Sequence, residues 1–271
     1  MTFVVRTLLA ILLWALAANG QQIRFTLLQR EVVEERLKTG PGKNDERHDR
    51  LEQMFREAQC GMNLTNQPVR GSKIPNVVCQ LPGQTCSIIV VGAHFDNQGA
   101  GSGLVDNWSG ASLLPRVFQS LRDVPRTHTF VFVGFTDEEK GLVGSKFYVK
   151  QLGGDELKAV NAMVNVDTVG LSSAKLWLSR ADKELANAFY AVANSLDLPR
   201  EAVNVEQVGS TDSESFRLKK IRSVTIHSLT QETLPILHTA QDQLSQIDLN
   251  HYYDTYRLLV AYLAFLDGKL N

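Results

Sequence analysis

From residue 76 onward, short apolar runs alternate with stretches in which apolar residues return every three or four positions. "NVVCQL", "SIIVVGAH", "TFVFVGF", "AMVNVDTV" and "RSVTIHS" are compact runs rich in Val, Ile and Phe, and they predict strands; "KLWLS" predicts a shorter one. "SGASLLPRVFQSLR", "GLVGSKFYVKQL", "ADKELANAFYAVANSL" and "HYYDTYRLLVAYLAFLDG" carry helical spacing. Ahead of them, "LLQREVVEERLKTG" predicts an amphipathic helix ending at Gly40. "NDERHDRLEQMFREAQCG" predicts a second, with Asn44 as cap and Gly61 as stop. The many charges of these two helices read as solvated faces.

Nearly continuous apolar strands that alternate with helices imply a sheet covered on both faces. The expected fold is a three-layer α/β/α sandwich around a central mixed, mostly parallel sheet. Its antiparallel part is expected at residues 75–92, where Pro82-Gly83 reads as the turn of a hairpin. Cys79 and Cys86 flank that turn, so the hairpin reading joins them in a disulfide if the register makes them face each other; two buried thiols are the alternative. Cys60 is then left over in the interior. No Pro- or Ser-rich linker divides the chain, and 271 residues with 44% hydrophobic content suit one catalytic-sized domain over residues 21–271, without a lid.

The first twenty residues are read separately. Arg6 precedes "TLLAILLWALAA", and small residues follow at Ala15, Ala17, Ala18 and Gly20, the pattern of a secretory signal peptide. The apolar run is short against the roughly 20 residues that a membrane span needs. A secreted or periplasmic protein is expected, with no stable membrane insertion after signal removal, and export is what makes a disulfide plausible. Asn63-Leu64-Thr65 is a glycosylation sequon that matters only in a host that glycosylates. Net charge is −1 with no basic block, which excludes a nucleic-acid partner, since that affinity comes from clustered Lys and Arg.

In sheets of this kind ligands bind beyond the carboxyl ends of the strands. His94 and Asp96 close "SIIVVGAH"; Asp137, Glu138 and Glu139 follow "TFVFVGF"; Asp167 ends "AMVNVD"; His238 lies after "RSVTIHS"; Asp106 enters the first helix behind the sheet. Taken singly each has an ordinary reading: a loop residue, the acidic first turn of a helix, an N-cap. Together they place two histidines and several carboxylates at one sheet edge, where unpaired acids repel one another and resist burial. Divalent cations remove that cost. Imidazole and carboxylate without Cys suit zinc, with cobalt or manganese less suited. Five ligands exceed one open tetrahedral site and fit two metals that share a carboxylate, an arrangement that holds a hydroxide between the ions and polarises a carbonyl.

The motifs "GAHFD", "VDNWSG", "FTDEEKGLVGS", "NVDTVG" and "LHTAQD", in this order, resemble the secreted di-zinc aminopeptidases of the bacterial leucyl aminopeptidase type, whose wider family includes glutaminyl cyclases. The resemblance runs from about residue 30 to 268. It implies the zinc-dependent exopeptidase (phosphorylase/hydrolase-like) fold and two Zn2+ ions. His94 and Asp167 would bind one ion, Glu139 and His238 the other, and Asp106 would bridge them. Glu138 would be the general base, and Asp96 would accept a hydrogen bond from His94 and fix its tautomer. A cis peptide would follow Asp106. The expected activity is removal of N-terminal residues from a peptide or aminoacyl substrate by a monomeric enzyme.

Three features depart from the family pattern. Pro115 falls inside the helix that opens near Ser109, so that helix is expected to start late or kink. Trp108 replaces a small residue and reads as a core side chain or a pocket wall. Leu237 stands where some members place an oxyanion-stabilising Tyr. The alternatives are a related exopeptidase with an inserted lid, a one-zinc glutaminyl cyclase, and a non-catalytic binding module. The seventy or so positions between Asp167 and His238 already hold two strands and a helix, which leaves no room for a lid. An intact ligand set with Glu138 argues against the other two.

Overall fold

Two helices precede the sheet, Arg30–Lys38 (α1) and Asn44–Glu57 (α2). The computed structural model describes residues 16–18 and 21–270, with side chains from Arg24 onward. The expected signal segment lies outside the described residues apart from Leu16–Ala18 (β1), which pairs antiparallel with Gln21–Ile23 (β2). The sheet is built from Leu64–Gln67 (β3), Asn76–Leu81 (β4), Ile88–His94 (β5), Thr129–Phe135 (β6), Val160–Val166 (β7), Lys175–Leu176 (β8), Glu201–Ala202 (β9) and Ser223–His227 (β10). The remaining helices are Ser109–Leu121 (α3), Val143–Gln151 (α4), Gly154–Ala159 (α5), Lys183–Ser195 (α6), Ser213–Arg217 (α7) and Leu249–Lys269 (α8).

The eight strands lie in the order β3-β4-β6-β5-β7-β10-β8-β9. β6, β5, β7 and β10 are mutually parallel and form the centre. Because side chains alternate across a strand, an apolar run with no polar break supplies two core faces at once. Val77, Cys79, Ile89, Val91, Phe130, Phe132, Val164 and Val166 face one core with α1, α2, α3, α6 and α8. Val78, Val90, Val131, Val133, Phe135 and Met163 face the other, smaller core with α4 and α7. The α/β/α sandwich read from the sequence is therefore present, with one thick and one thin helical layer.

Local chemistry fixes several helix ends. Asp182 caps α6 by accepting from the backbone of Glu184 and Leu185, and Asp248 caps α8 in the same way from Asn250 and His251. Asn44 does not cap α2. It is the first helical residue, and its amide instead grips the backbone of Asn97, accepting from the N–H at 2.8 Å and donating to the carbonyl at 3.2 Å. α3 begins at Ser109 without delay and contains Pro115. Trp108 is wholly buried and donates from Nε1 to Arg36 O, so it is a core side chain.

The expected hairpin at 75–92 does not form. β6 comes between its two arms, antiparallel to β4 and parallel to β5. Cys79 and Cys86 therefore do not face each other, and the Cys79–Cys86 pairing is corrected. Cys79 lies opposite Leu64 of β3, which brings the preceding turn over it, and Cys60 bonds to Cys79 with a Cα–Cα separation of 6.2 Å. Cys86 is free and exposed. A peptide map of unreduced protein should show the Cys60–Cys79 linkage, with Cys86 alone taking up alkylating reagent. Replacing both cysteines of the bridge by Ala should lower unfolding free energy by about 3 kcal/mol in denaturant titrations, the loop-closure value for an enclosed loop of this size.

Candidate metal centre

Chain connectivity makes β5 the point where strand order reverses. From β5 the chain passes through α3 to β6 on one side, then through α4 and α5 to β7 on the other. Such a reversal leaves a crevice beyond the carboxyl ends of the parallel strands. His94 is the last residue of β5, Glu138 and Glu139 follow β6, Asp167 follows β7, and His238 lies in the loop after β10. All five line one pocket with Asp106, which stands between β5 and α3.

Asp106 is the hub. Its Oδ1 lies 3.1 Å from Nε2 of His94, and its Oδ2 lies 3.2 Å from Nε2 of His238. His94 Nε2 is also 3.7 Å from Asp167, and His238 Nε2 is 3.1 Å from Glu139. Two triads result, His94–Asp106–Asp167 and Asp106–Glu139–His238, each with its ligand atoms within 4.8 Å of one another. The triads share only Asp106. Three further carboxylates stand close by, Asp96 and Asp212 buried and Glu138 half-buried, and among the described residues no Lys or Arg lines the pocket. A site this rich in acids, with two imidazole nitrogens aimed at carboxylate oxygens, fits a pair of divalent cations by its donor chemistry.

Backbone clamps hold these side chains. Asp242 accepts from the N–H of Val105 at 2.8 Å and of Asp106 at 3.1 Å, and its own carbonyl takes the N–H and Oγ of Ser102, each at 2.7 Å. Arg47, fully buried on α2, donates to the carbonyls of Pro41, Phe95, Ser102 and Gly103. The peptide between Asp106 and Asn107 is cis, as the resemblance implied. Asn107 then reaches across to the end of β7, donating to Val166 O and accepting from Thr168 N and Gly110 N, each at 3.0 Å. Two glycines permit the close approaches. At Gly101 (φ +77°) a Cβ would come 2.4 Å from Thr239 O, and at Gly110 it would come 2.5 Å from Val166 O.

Asp96 faces His94 and also holds the backbone after β6. Its Oδ1 lies 3.5 Å from Nδ1 of His94, and Nδ1 makes no hydrogen bond. Its two oxygens accept instead from the backbone N–H groups of Glu138 (3.0 Å) and Glu139 (3.2 Å). The reason is geometric: β5 and β6 are adjacent and in register, so the residue two beyond His94 meets the first turn after β6. Asp96 thus aims the acidic pair. Thr211, which the sequence did not flag, donates to Asp167 Oδ2 at 2.5 Å and accepts from Asn165 at 2.7 Å, fixing the oxygen of Asp167 that faces away from His94.

Charge is strongly coupled here. Burial opposes a charged His94, yet Glu138, Asp106, Asp167 and Asp96 outweigh it and raise its pKa well above the ordinary value. His238, hydrogen-bonded to Asp106 and Glu139, is raised to about 10. Burial favours the neutral form of Asp106, but the two histidines override it and hold its pKa below the usual carboxylate range. Burial pushes Glu138 up to about 10, His94 opposes that rise, and Asp212, Asp167 and Asp106 add to it.

The pocket encloses about 80 Å³. Its ligand side is polar, and its far wall is Trp177, Val205, Val208, Leu229 and Leu237. Leu237 lines the cavity and no tyrosine does among the described residues. A third ligand-like group, His48–Asp49–Glu52, lies on α2 outside this pocket, with His48 engaged by Asp49 and Asn66.

Residues 76–263 match the sequence profile of Peptidase family M28. The chain belongs to that family. Among curated members, the Bacillus subtilis aminopeptidase YwaD is 29% identical over 192 residues, covering 68% of this chain and 41% of that protein. The chain thus spans well under half the length of YwaD. Among solved structures, a Bacillus subtilis zinc aminopeptidase superposes with TM-score 0.64 at 25% identity, over 70% of this chain and 49% of its own. A glutaminyl cyclase from an Acidobacteriales bacterium superposes with TM-score 0.71 at 15% identity, over 94% of this chain and 100% of its own, and shows the shared M28 fold.

His227, at the end of β10, forms part of the pocket floor and was not flagged in the sequence. Its Nε2 donates to Val203 O at 3.0 Å and its Nδ1 accepts from Leu229 N at 3.1 Å, which defines a neutral tautomer. Burial lowers its pKa to about 4. A histidine lowered in the folded state contributes stability that is complete above the unfolded pKa of about 6.5 and is lost as pH falls through 6.5 towards 4. His227→Gln keeps a donor and an acceptor but does not titrate. The loss of unfolding free energy between pH 7 and pH 4 should therefore be smaller in the variant, by up to about 3 kcal/mol. Parallel denaturant titrations at the two pH values measure it.

Proposed function

We propose that the protein is a zinc metallo-exopeptidase holding two Zn2+ ions, and specifically an aminopeptidase. The observation that carries this reading is the sharing of Asp106 between two triads, one oxygen to each imidazole. His94 and Asp167 would hold one ion and Glu139 and His238 the other. Bound there, a zinc pair supplies Lewis acidity that activates water and polarises the scissile carbonyl. The name of the Bacillus subtilis structure supports zinc as the metal.

The chain's own residues supply the rest. Glu138 is the base: it lines the same pocket, belongs to neither triad, and its backbone is aimed by Asp96. It takes a proton from the attacking water and passes it to the departing amine, a transfer of the kind that contributes about 10²–10⁴-fold. The polarity of substrate binding follows from charge. A pocket ringed with carboxylates and without Lys or Arg attracts a free α-amine and offers nothing to a C-terminal carboxylate. The wall of Trp177, Val205, Val208, Leu229 and Leu237 suits an aliphatic first side chain. The one-zinc cyclase reading would leave the His94–Asp167 pair without a ligand role. The Cys60–Cys79 bridge supports an extracytoplasmic location for this single catalytic domain.

Metal analysis of the purified protein should give two zinc ions per chain, chelation should abolish hydrolysis, and zinc or cobalt should restore it. Glu138→Gln should keep both ions and substrate affinity while kcat falls about 10²–10⁴-fold. Glu139→Gln should lose metal as well as turnover. One ion in fully active enzyme would replace this reading with the cyclase.

A kinetic profile over free and N-blocked peptides tests substrate polarity. Cleavage should require the free amine and favour Leu-type first residues over charged ones. Equal turnover of N-acetylated peptides would overturn the aminopeptidase assignment.

A further inference from the structure

A buried guanidinium must place its N–H donors on acceptors or leave them unsatisfied. Arg47 meets that demand with four carbonyls. Arg116 on α3, equally buried at 4% exposure, does not. Among the described residues only its Nη1 is engaged, to Gln119 Oε1 at 2.8 Å, while Nε and Nη2 have no hydrogen-bond partner. The buried Nε of Arg36 on α1 is likewise without one.

The neighbours cannot repair this. Tyr252 and Tyr256 of α8 lie within electrostatic reach of Arg116, but their hydroxyls bond to Ser112 at 2.8 Å and to Ser120 at 2.5 Å. Glu57 of α2 is the acid that acts most strongly on Arg116, and it is already shared between Arg36 and Arg50. Arg36 and Arg50 therefore already occupy the carboxylate that would best balance Arg116. Burial first, and then repulsion by Arg36, lowers the pKa of Arg116. Orphan N–H donors together with uncompensated positive charge are the counterpart of the acid-rich metal centre, with the sign reversed.

We propose that Arg116, through its free Nε and Nη2, binds a small inorganic anion of the chloride type beside α3, and that this anion steadies the packing of that helix. The ligand class follows from the donors. Nε and Nη2 lie on one edge of the Arg116 guanidinium, so the two free N–H groups can chelate a single small acceptor.

The test uses thermal unfolding of the full chain at constant ionic strength, with sodium gluconate exchanged stepwise for sodium chloride. The expected result is a saturable rise in Tm, about 3–5 °C at tenfold above half-saturation for a chain of this size. Arg116→Met, similar in length and uncharged, should show a flat response. The rise should persist in chelated protein, since the site is separate from the metal centre. Equal Tm in the two salts, or an undiminished chloride response in Arg116→Met, overturns the proposal and leaves hydration as the means of satisfying these donors. Should the Met variant fail to fold, crystals of the parent soaked in sodium bromide decide. An anomalous peak against Arg116 Nη2 supports the site, and no peak there overturns it.

Discussion

The metal centre depends on holding one carboxylate, Asp106, between two imidazoles inside a ring of like charges. Left to itself a loop bearing that carboxylate would swing towards solvent, since Asp167, Glu139 and Glu138 all repel it. The fold prevents this by gripping backbone. Asp242 takes the two N–H groups of Val105 and Asp106, Arg47 gathers the carbonyls of Phe95, Ser102 and Gly103, and Asn107 ties the far side to β7. Each grip uses a buried polar group whose hydrogen-bonding demand is met only when the loop is in place. The loop geometry is therefore held by hydrogen bonds that the chain itself supplies.

Much of this was legible in the sequence because it is local or periodic. β4, β5, β6, β7 and β10 are apolar runs whose two-residue alternation serves two cores. The ligands stand at the ends of those runs, where a parallel sheet collects them. What the sequence hid is non-local. "LPG" between two strands is good hairpin chemistry, yet β6 enters between the arms, and nothing near Cys79 or Cys86 announces a strand from residue 129. β3, "LTNQ", is polar and exposed at the sheet edge; it is a strand only because β4 pairs with it, and that pairing sends Cys60 to Cys79. Asp96 was rightly drawn to the site, but its hydrogen bonds followed the register of β5 against β6, which a single chain segment does not reveal. Asn44 looked like a cap and became a tether, for a similar reason.

The residues that grip ligands and those that would select a substrate come from different parts of the structure. The candidate ligands lie at strand ends and on one clamped loop, where a shift would spoil two triads at once. The apolar wall comes from Trp177, Val205 and Leu229, which form a small buried cluster of their own, and from Leu237, which packs against both that cluster and the main core. A change in that wall alters pocket shape without disturbing Asp242, Arg47 or Asn107. Loops placed on a rigid scaffold commonly carry specificity for this reason. Here the division is sharper, because the clamps that fix charge make no use of the wall. A fold that must hold several carboxylates together can vary what it accepts only where no carboxylate is being held.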